Sequence, residues 1–341
     1  MRSGPVRHGA LEGRKRARRW PRALLTVLLV AVAVTAALLA LGPSEPLRDG
    51  DGPDPEVGAP VPEIAQARAD EPPRRADERV TTRFALEPEA DRLPVRHDFG
   101  DPPRAGLMFD VASGEILWAR HPDRELPVAS LTKMMTAHLI ASRHSPDEKV
   151  LVSTKAVRTG GSMIGVLSAG EKVPLGGLLK GLLLVSGNDA ATALAEHDSG
   201  SVGRFVERMN DEADRLGLEC SRFTTPHGLE DKGNYSCPRD LAELARADLA
   251  NARIAEIVRS DRESVPFPVE GGALELYNIN PFIRAGDPTI TGLKTGYTDA
   301  AGRCYVTTAE RGGRELGVVL LDSPDPLSQV PKLLELGEAR G

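Results

Sequence analysis

Three short stretches of the 341-residue chain hold side chains that could do chemistry together. In Ala129-Ser130-Leu131-Thr132-Lys133 a serine precedes a lysine by three residues, in a segment that reads as the start of a helix. Residues three apart on a helix share a face, so hydroxyl and amine can meet and exchange a proton. A serine hydroxyl is a poor nucleophile until a neighbouring base takes its proton. A lysine can be that base once its surroundings lower its pKa. The second stretch, Ser186-Gly187-Asn188, offers a hydroxyl and an amide around a tight backbone break. In the third, Lys294-Thr295-Gly296, a cation and a hydroxyl sit side by side at the end of a strand, suited to a carboxylate. Gly296 would let a substrate backbone come close. Each stretch alone has a structural alternative. Ser-x-x-Lys recurs by chance, Asp189 could simply cap a helix after Ser186-Gly187-Asn188, and Lys294-Thr295-Gly296 could be an ordinary strand-to-turn transition.

The elements around these stretches are legible in outline. Residues 105–119 read as a hairpin turning at Ala112-Ser113-Gly114, and the Ser130 helix continues through Ile140. An apolar helix spans Leu175 to Val185, and an Ala-rich one follows from Ala190 to His197. Phe205 to Leu216 is amphipathic, and Arg239 to Ala250 is a further helix candidate. Strands return at Thr289 to Lys294, Cys304 to Glu310 and Leu316 to Leu321, the last two joined by Arg311-Gly312-Gly313-Arg314. A closing helix runs from Pro326 to Ala339. Strands at both ends with helices between predict one antiparallel sheet with helices packed on it and a helical lobe beside it.

Ahead of residue 105 the sequence changes character. Residues 1–22 carry eight Lys/Arg against Glu12, whereas residues 23–341 hold the other 35 basic and 48 acidic residues. An acidic body argues against nucleic acid as a partner. Residues 23–42 form an uncharged apolar run of 20, long enough to span a bilayer as a helix. With the basic cluster before it, the run predicts an uncleaved signal anchor: residues 1–22 cytoplasmic and everything after Pro43 outside. Secretion after signal cleavage is the alternative. Residues 43–104 hold 12 of the 27 prolines and read as a disordered tether, with Leu93 to Phe99 a piece that could dock on the domain at 105–341. No Cys pair or His spacing suggests a metal site. Cys220, Cys237 and Cys304 are either small apolar residues or, outside the cytoplasm, include a Cys220–Cys237 disulfide.

In order and in context, the three stretches match the signature of penicillin-binding proteins and serine β-lactamases. The chain resembles the D-alanyl-D-alanine carboxypeptidases, the low-molecular-weight penicillin-binding proteins. Beyond the triplets, the resemblance covers FDVASGEILWARHPD, PVASLTKMMTA, LLKGLLLVSGNDAATALAEH, FTTPHGL and GLKTGYTDAAGRC, nearly all of residues 105–323. It implies an α/β (α+β) fold: a five-stranded antiparallel sheet, helices on both faces, and a helical lobe with the active site between.

The resemblance also implies roles. Ser130 would attack the carbonyl between the terminal D-alanines of a peptidoglycan stem peptide, with Lys133 as general base. Ser186 would relay a proton to the departing D-alanine, and Asn188 would hold the substrate backbone and orient Lys133. Lys294 and Thr295 would bind the terminal carboxylate, with Gly296 beside them in the substrate-binding strand, and the backbone N–H groups of Ser130 and Tyr297 would form the oxyanion hole. β-Lactams would acylate Ser130 and inhibit, and no cofactor is required. Many members carry a second, β-rich domain and a C-terminal anchor; here about twenty residues follow the last predicted strand, and the N-terminal run would supply the attachment. A class A β-lactamase is disfavoured because no Glu followed two residues on by Leu-Asn lies between Ser186 and Lys294. A D,D-endopeptidase on cross-links, or a sensor that binds without turnover, would use the same residues.

Overall fold

The strict alternation of the late strands sets the architecture. In β9 (Arg314–Leu321), Leu316, Val318 and Leu320 face one core, while Val319 and Leu321 face another. β1 (Ala105–Asp110) divides in the same way, with Met108 on one side and Leu107 and Phe109 on the other. Successive side chains of a strand point to opposite faces, so both faces of this sheet must be covered. In the computed structural model, which describes residues 93–229 and 232–340, they are.

The five strands run β2-β1-β9-β8-β7 and every neighbouring pair is antiparallel. Here β2 is Ile116–Arg120, β7 is Ile290–Thr298 and β8 is Gly302–Arg311. Gly317 of β9 has no side chain for a reason: a Cβ there would lie 2.3 Å from the Phe109 ring. β7 is an edge strand, which leaves one side of its backbone open. It also runs beyond the predicted end at Lys294, because Thr295 to Thr298 pair with Tyr305 to Gly302. Pairing overrides the weak strand propensity of Gly296. The Lys294-Thr295-Gly296 triplet therefore lies within the strand.

Between the two halves of the sheet the chain builds the lobe. A 3-10 turn, Ala129–Leu131, leads directly into α1 (Thr132–Arg143). A small hairpin, β3 (Lys149–Leu151) with β4 (Lys172–Pro174), flanks α2 (Thr154–Val157). Next come α3 (Leu175–Leu184), α4 (Asn188–Ser199), α5 (Val202–Leu216), α6 (Pro238–Leu249) and α7 (Ala252–Arg259). A second hairpin joins β5 (Arg262–Pro266) to β6 (Ala273–Tyr277), and α8 (Pro281–Arg284) precedes β7. α9 (Pro326–Glu338) closes the described chain. α3 is buried nearly all round, which explains its run of leucines. α1 packs against α3, α4 and α6, at the centre of the lobe. α6 lies on one sheet face against β1 and β9, and α9 lies on the other against β8 and β9.

Several boundaries differ from the expected ones. α4 starts at Asn188, two residues earlier than read, and α7 with the β5/β6 hairpin was not foreseen. Residues 93–104 lie against the domain, beyond the short docking piece expected. Val95 N–H donates to Leu117 O at 2.9 Å, Trp118 Nε1 to His97 O at 3.2 Å, and Gln329 Nε2 to Asp101 O at 2.7 Å. Cys220 and Cys237 are joined as a disulfide, and Cys304 is a buried thiol. Among the described residues no helix is long and apolar enough to cross a membrane. The predicted segments 1–22 and 23–42, and the expected tether up to residue 92, lie outside the described residues.

Candidate active site

The turn at Ala129–Leu131 is held from three sides. Thr132 Oγ1 donates to Ala129 O at 2.8 Å and accepts from Asn234 Nδ2 at 2.8 Å. Gly228 lies so close that a Cβ there would sit 1.9 Å from Ala129 O. Its φ of 74° is a conformation that glycine adopts without cost. On the sheet side, a Cβ at Gly296 would lie 2.9 Å from Ser130 N and 3.1 Å from Val128 O. Glycine at both positions lets two backbones press against the serine.

Ser130 and Lys133 meet as their spacing predicts, although the serine lies in the 3-10 turn and not in the helix proper. Lys133 Nζ donates to Ser130 Oγ at 2.8 Å and to His227 O at 2.8 Å. The lysine is fully buried. Burial holds its pKa well below the usual lysine range, and the nearby Lys294 cation lowers it further, against a smaller pull from Asp189. Lys294 is itself buried, which pushes its pKa down to about 7. Its ammonium donates to Thr295 O at 2.7 Å. Two buried lysines beside one serine give a neutral amine a place to exist near pH 7.

The Ser186-Gly187-Asn188 stretch forms the entry to α4. Ser186 has a φ of 61°, uncommon for a residue with a side chain. Ser186 Oγ and Asn188 Oδ1 are buried and make no hydrogen bond within the described protein. Asn188 Nδ2 donates to Gly160 O at 2.7 Å, tying the helix start to the Gly-rich loop at 159–162. The polar partners of Lys133 Nζ are Ser130 and His227, and no hydrogen bond joins it to Asn188, expected to orient it. Asp189, read as a capping candidate, accepts from Ile164 N–H at 2.9 Å, Gly165 N–H at 3.0 Å and its own neighbour Ala190 N–H at 2.8 Å. It thereby holds the loop beside the site.

The structure thus brings Ser130, Lys133, Lys294 and Gly296 together, with Ser186 and Asn188 at the adjoining helix start. Thr295 is half-buried on the edge strand. The Tyr297 side chain is 64% exposed and donates to Asp299 Oδ1, which leaves only its backbone for the expected role. Sequence reading missed the contribution of the 220–237 loop. His227 O anchors Lys133, Pro226 O accepts from Thr136 Oγ1 at 2.6 Å, and the disulfide brackets the loop, with Cys237 capping α6. The available signals were Thr225-Pro226-His227-Gly228-Leu229 as a turn-forming stretch and its place in the FTTPHGL match.

This sheet, lobe and serine–lysine site are the fold of the D,D-peptidases and penicillin-binding proteins. Solved structures agree: the D-alanyl-D-alanine carboxypeptidase from Mycobacterium tuberculosis H37Rv matches with a TM-score of 0.67 and 30% identity, over 72% of this chain and 96% of that one. The family model for D-alanyl-D-alanine carboxypeptidase matches residues 103–325, and the chain belongs to that family. The D-alanyl-D-alanine carboxypeptidase DacF of Bacillus subtilis (strain 168) is 32% identical over 240 residues, 68% of this chain and 61% of the relative. A D-alanyl-D-alanine endopeptidase of Pseudomonas aeruginosa is 31% identical over 247 residues, 72% of this chain and 78% of the relative. The chain spans about six-tenths of the length of the carboxypeptidases it matches.

Proposed function

We propose that the protein is a serine-type D-Ala-D-Ala carboxypeptidase that shortens peptidoglycan stem peptides through an acyl-enzyme on Ser130. The observation that carries this reading is the fully buried Lys133 with its Nζ 2.8 Å from Ser130 Oγ. Neutral Lys133 takes the Ser130 proton as Oγ attacks the carbonyl of the penultimate D-alanine. The oxyanion is received by the N–H groups of Ser130 and Tyr297, close to the point where Gly296 brings β7 against the serine. As the tetrahedral adduct collapses, the C–N bond breaks and the proton passes through Ser186 Oγ to the departing D-alanine amine. Ser186 Oγ, buried without a partner, suits that relay. Lys294 and Thr295 hold the terminal carboxylate, and Asn188 Oδ1 accepts from the substrate backbone. The open edge of β7 suits an extended peptide laid alongside it. Water then hydrolyses the ester and regenerates Ser130. A β-lactam acylates the same serine but keeps its ring-opened amine attached, so it inhibits.

In this reading, residues 23–42 anchor the protein as a signal anchor with 1–22 in the cytoplasm. The catalytic domain faces the wall outside, an oxidising setting that suits the Cys220–Cys237 disulfide. A D,D-endopeptidase acting on cross-links is the second reading, supported by the likeness to the Pseudomonas aeruginosa enzyme. The test is release of D-alanine by the detergent-solubilised full chain from a tripeptide ending in D-Ala-D-Ala, with a cross-linked dimer of stem peptides as the competing substrate. Carboxypeptidase action predicts D-alanine from the tripeptide, lost in Ser130→Ala. Cleavage of the cross-linked substrate alone would favour the endopeptidase, and turnover of neither would sink the enzyme reading.

A further inference from the structure

The sequence shows no Cys pair or His spacing that suggests a metal site, yet folding gathers two histidines and a glutamate at the far ends of the two helices that serve the active site. His144 caps the C-terminus of α1, Glu148 lies four residues on, and His197 is in the last turn of α4. His144 Nδ1 and His197 Nε2 each lie 2.9 Å from the same oxygen, Glu148 Oε2. The three donor atoms all lie within 4.8 Å of one another. We propose that His144 Nδ1, Glu148 Oε2 and His197 Nε2 form a binding site for a divalent transition cation, zinc above all.

Three features of the surroundings support a built site. Glu148 is oriented at both oxygens, because Ser145 N–H donates to Oε1 at 2.6 Å and leaves Oε2 to the imidazoles. His144 is oriented from behind: its Nε2 lies 3.0 Å from Asp198 Oδ1, and Asp198 is fixed by Arg143 Nε at 2.8 Å and Arg208 Nε at 3.1 Å. A carboxylate on the outer ring nitrogen of a histidine sets its tautomer and aims the other nitrogen at a metal. The cluster also lies at the C-termini of two helices, the end that favours a cation.

The geometry needs little change. Zinc–ligand distances of about 2.0–2.1 Å in a tetrahedron place donor atoms roughly 3.3 Å apart, so the 2.9 Å pairs open slightly and the two imidazoles draw closer. The imidazole and carboxylate donors suit zinc, cobalt or copper better than calcium or magnesium. The three side chains are 16–36% exposed, which gives an ion its entry and leaves room for water as a fourth ligand. His144 follows the 12 residues of α1 and His197 lies in the last turn of α4, so the cluster is about 14–18 Å along the helices from their catalytic ends. The ion therefore clamps the lobe and takes no part in acyl transfer.

The test uses the untagged full chain, dialysed against chelator and titrated with zinc by calorimetry and with cobalt(II) by visible absorption. The expected result is one equivalent per chain, a tetrahedral cobalt spectrum without thiolate charge transfer, and a thermal midpoint raised by zinc. His144→Ala, Glu148→Gln and His197→Ala should each weaken zinc at least tenfold. Glu148→Gln keeps a hydrogen-bond acceptor in place, so it remains informative if a histidine variant fails to fold, and its rate of acylation by penicillin should equal wild type. No zinc bound by wild type, or equal binding in a folded Glu148→Gln, would overturn the assignment.

Discussion

Replacing Gly296 with alanine would put a methyl group against the backbone of the proposed nucleophile. The added Cβ would lie 2.9 Å from Ser130 N, 3.1 Å from Val128 O and 3.2 Å from Ala129 Cβ. None of these neighbours is the tip of a flexible side chain, and the turn that carries them is fixed by Thr132, Asn234 and Gly228. Carbon contacts relax at about 3.5 Å or more, so β7 and the 129–131 turn must part by roughly half an ångström. The strand can yield because it is the sheet edge, and the cost in stability should be about 1–3 kcal/mol, leaving the protein folded. The catalytic cost is larger. Loss of one oxyanion donor costs about 10²–10³ in rate, and a misplacement of about 1 Å costs around 10². A half-ångström retreat should therefore slow acylation by roughly 10- to 100-fold. The assay is stopped-flow acylation by a fluorescent penicillin, with thermal melting alongside. Gly203→Ala in α5 is the control, because a Cβ there meets nothing within 4 Å. Acylation of folded Gly296→Ala within about twofold of wild type would refute the placement of β7 as a wall of the oxyanion site.

Two further outcomes follow from the buried charges. In the proposed mechanism acyl transfer needs Lys133 neutral and Lys294 charged, so kcat/KM should fall on the acid side as Lys133 gains its proton and on the alkaline side as Lys294 loses its own near pH 7. Lys294→Arg keeps its charge and should carry the alkaline limb well above that of wild type; superimposed profiles above neutrality would contradict the assignment of Lys294 as carboxylate partner. In the lobe, burial alone would lower the pKa of His138, but hydrogen bonds and charge from Asp248 and Glu212 push it up to about 9. A folded value above the ordinary one near 6.5 means that its stabilisation is complete below about pH 6.5 and lost as pH rises through about 9. Urea unfolding should show the gap between wild type and His138→Gln closing by roughly 2–3 kcal/mol from pH 7 to pH 10, and a constant gap would show that the ion pairs contribute nothing.

Much of the site was legible in the sequence because its chemistry is local. Ser130 and Lys133 are three residues apart, and Ser186-Gly187-Asn188 and Lys294-Thr295-Gly296 are contiguous. The sheet was legible because β1 and β9 are short apolar runs bounded by turn residues, as Leu316 to Leu321 after Gly312-Gly313 show. What escaped joins residues distant in the chain. The contact from Lys133 to His227 O spans 94 positions, and that from His138 to Asp248 spans 110. No periodicity encodes such pairs. The β5/β6 hairpin escaped for a different reason: each strand buries only one or two side chains, so its pattern is faint. The exact start of α4 depended on pairing between Asn188 N–H and Ser162 O across a loop, which is a tertiary contact.

The central claim is that Ser130 becomes acylated. The detergent-solubilised full chain is incubated with benzylpenicillin, digested, and the peptides are weighed by mass spectrometry. The account predicts one penicilloyl adduct, on the peptide that contains Ser130, lost in Ser130→Ala while that variant still folds. An adduct on any other residue, or a label that survives Ser130→Ala, would contradict it.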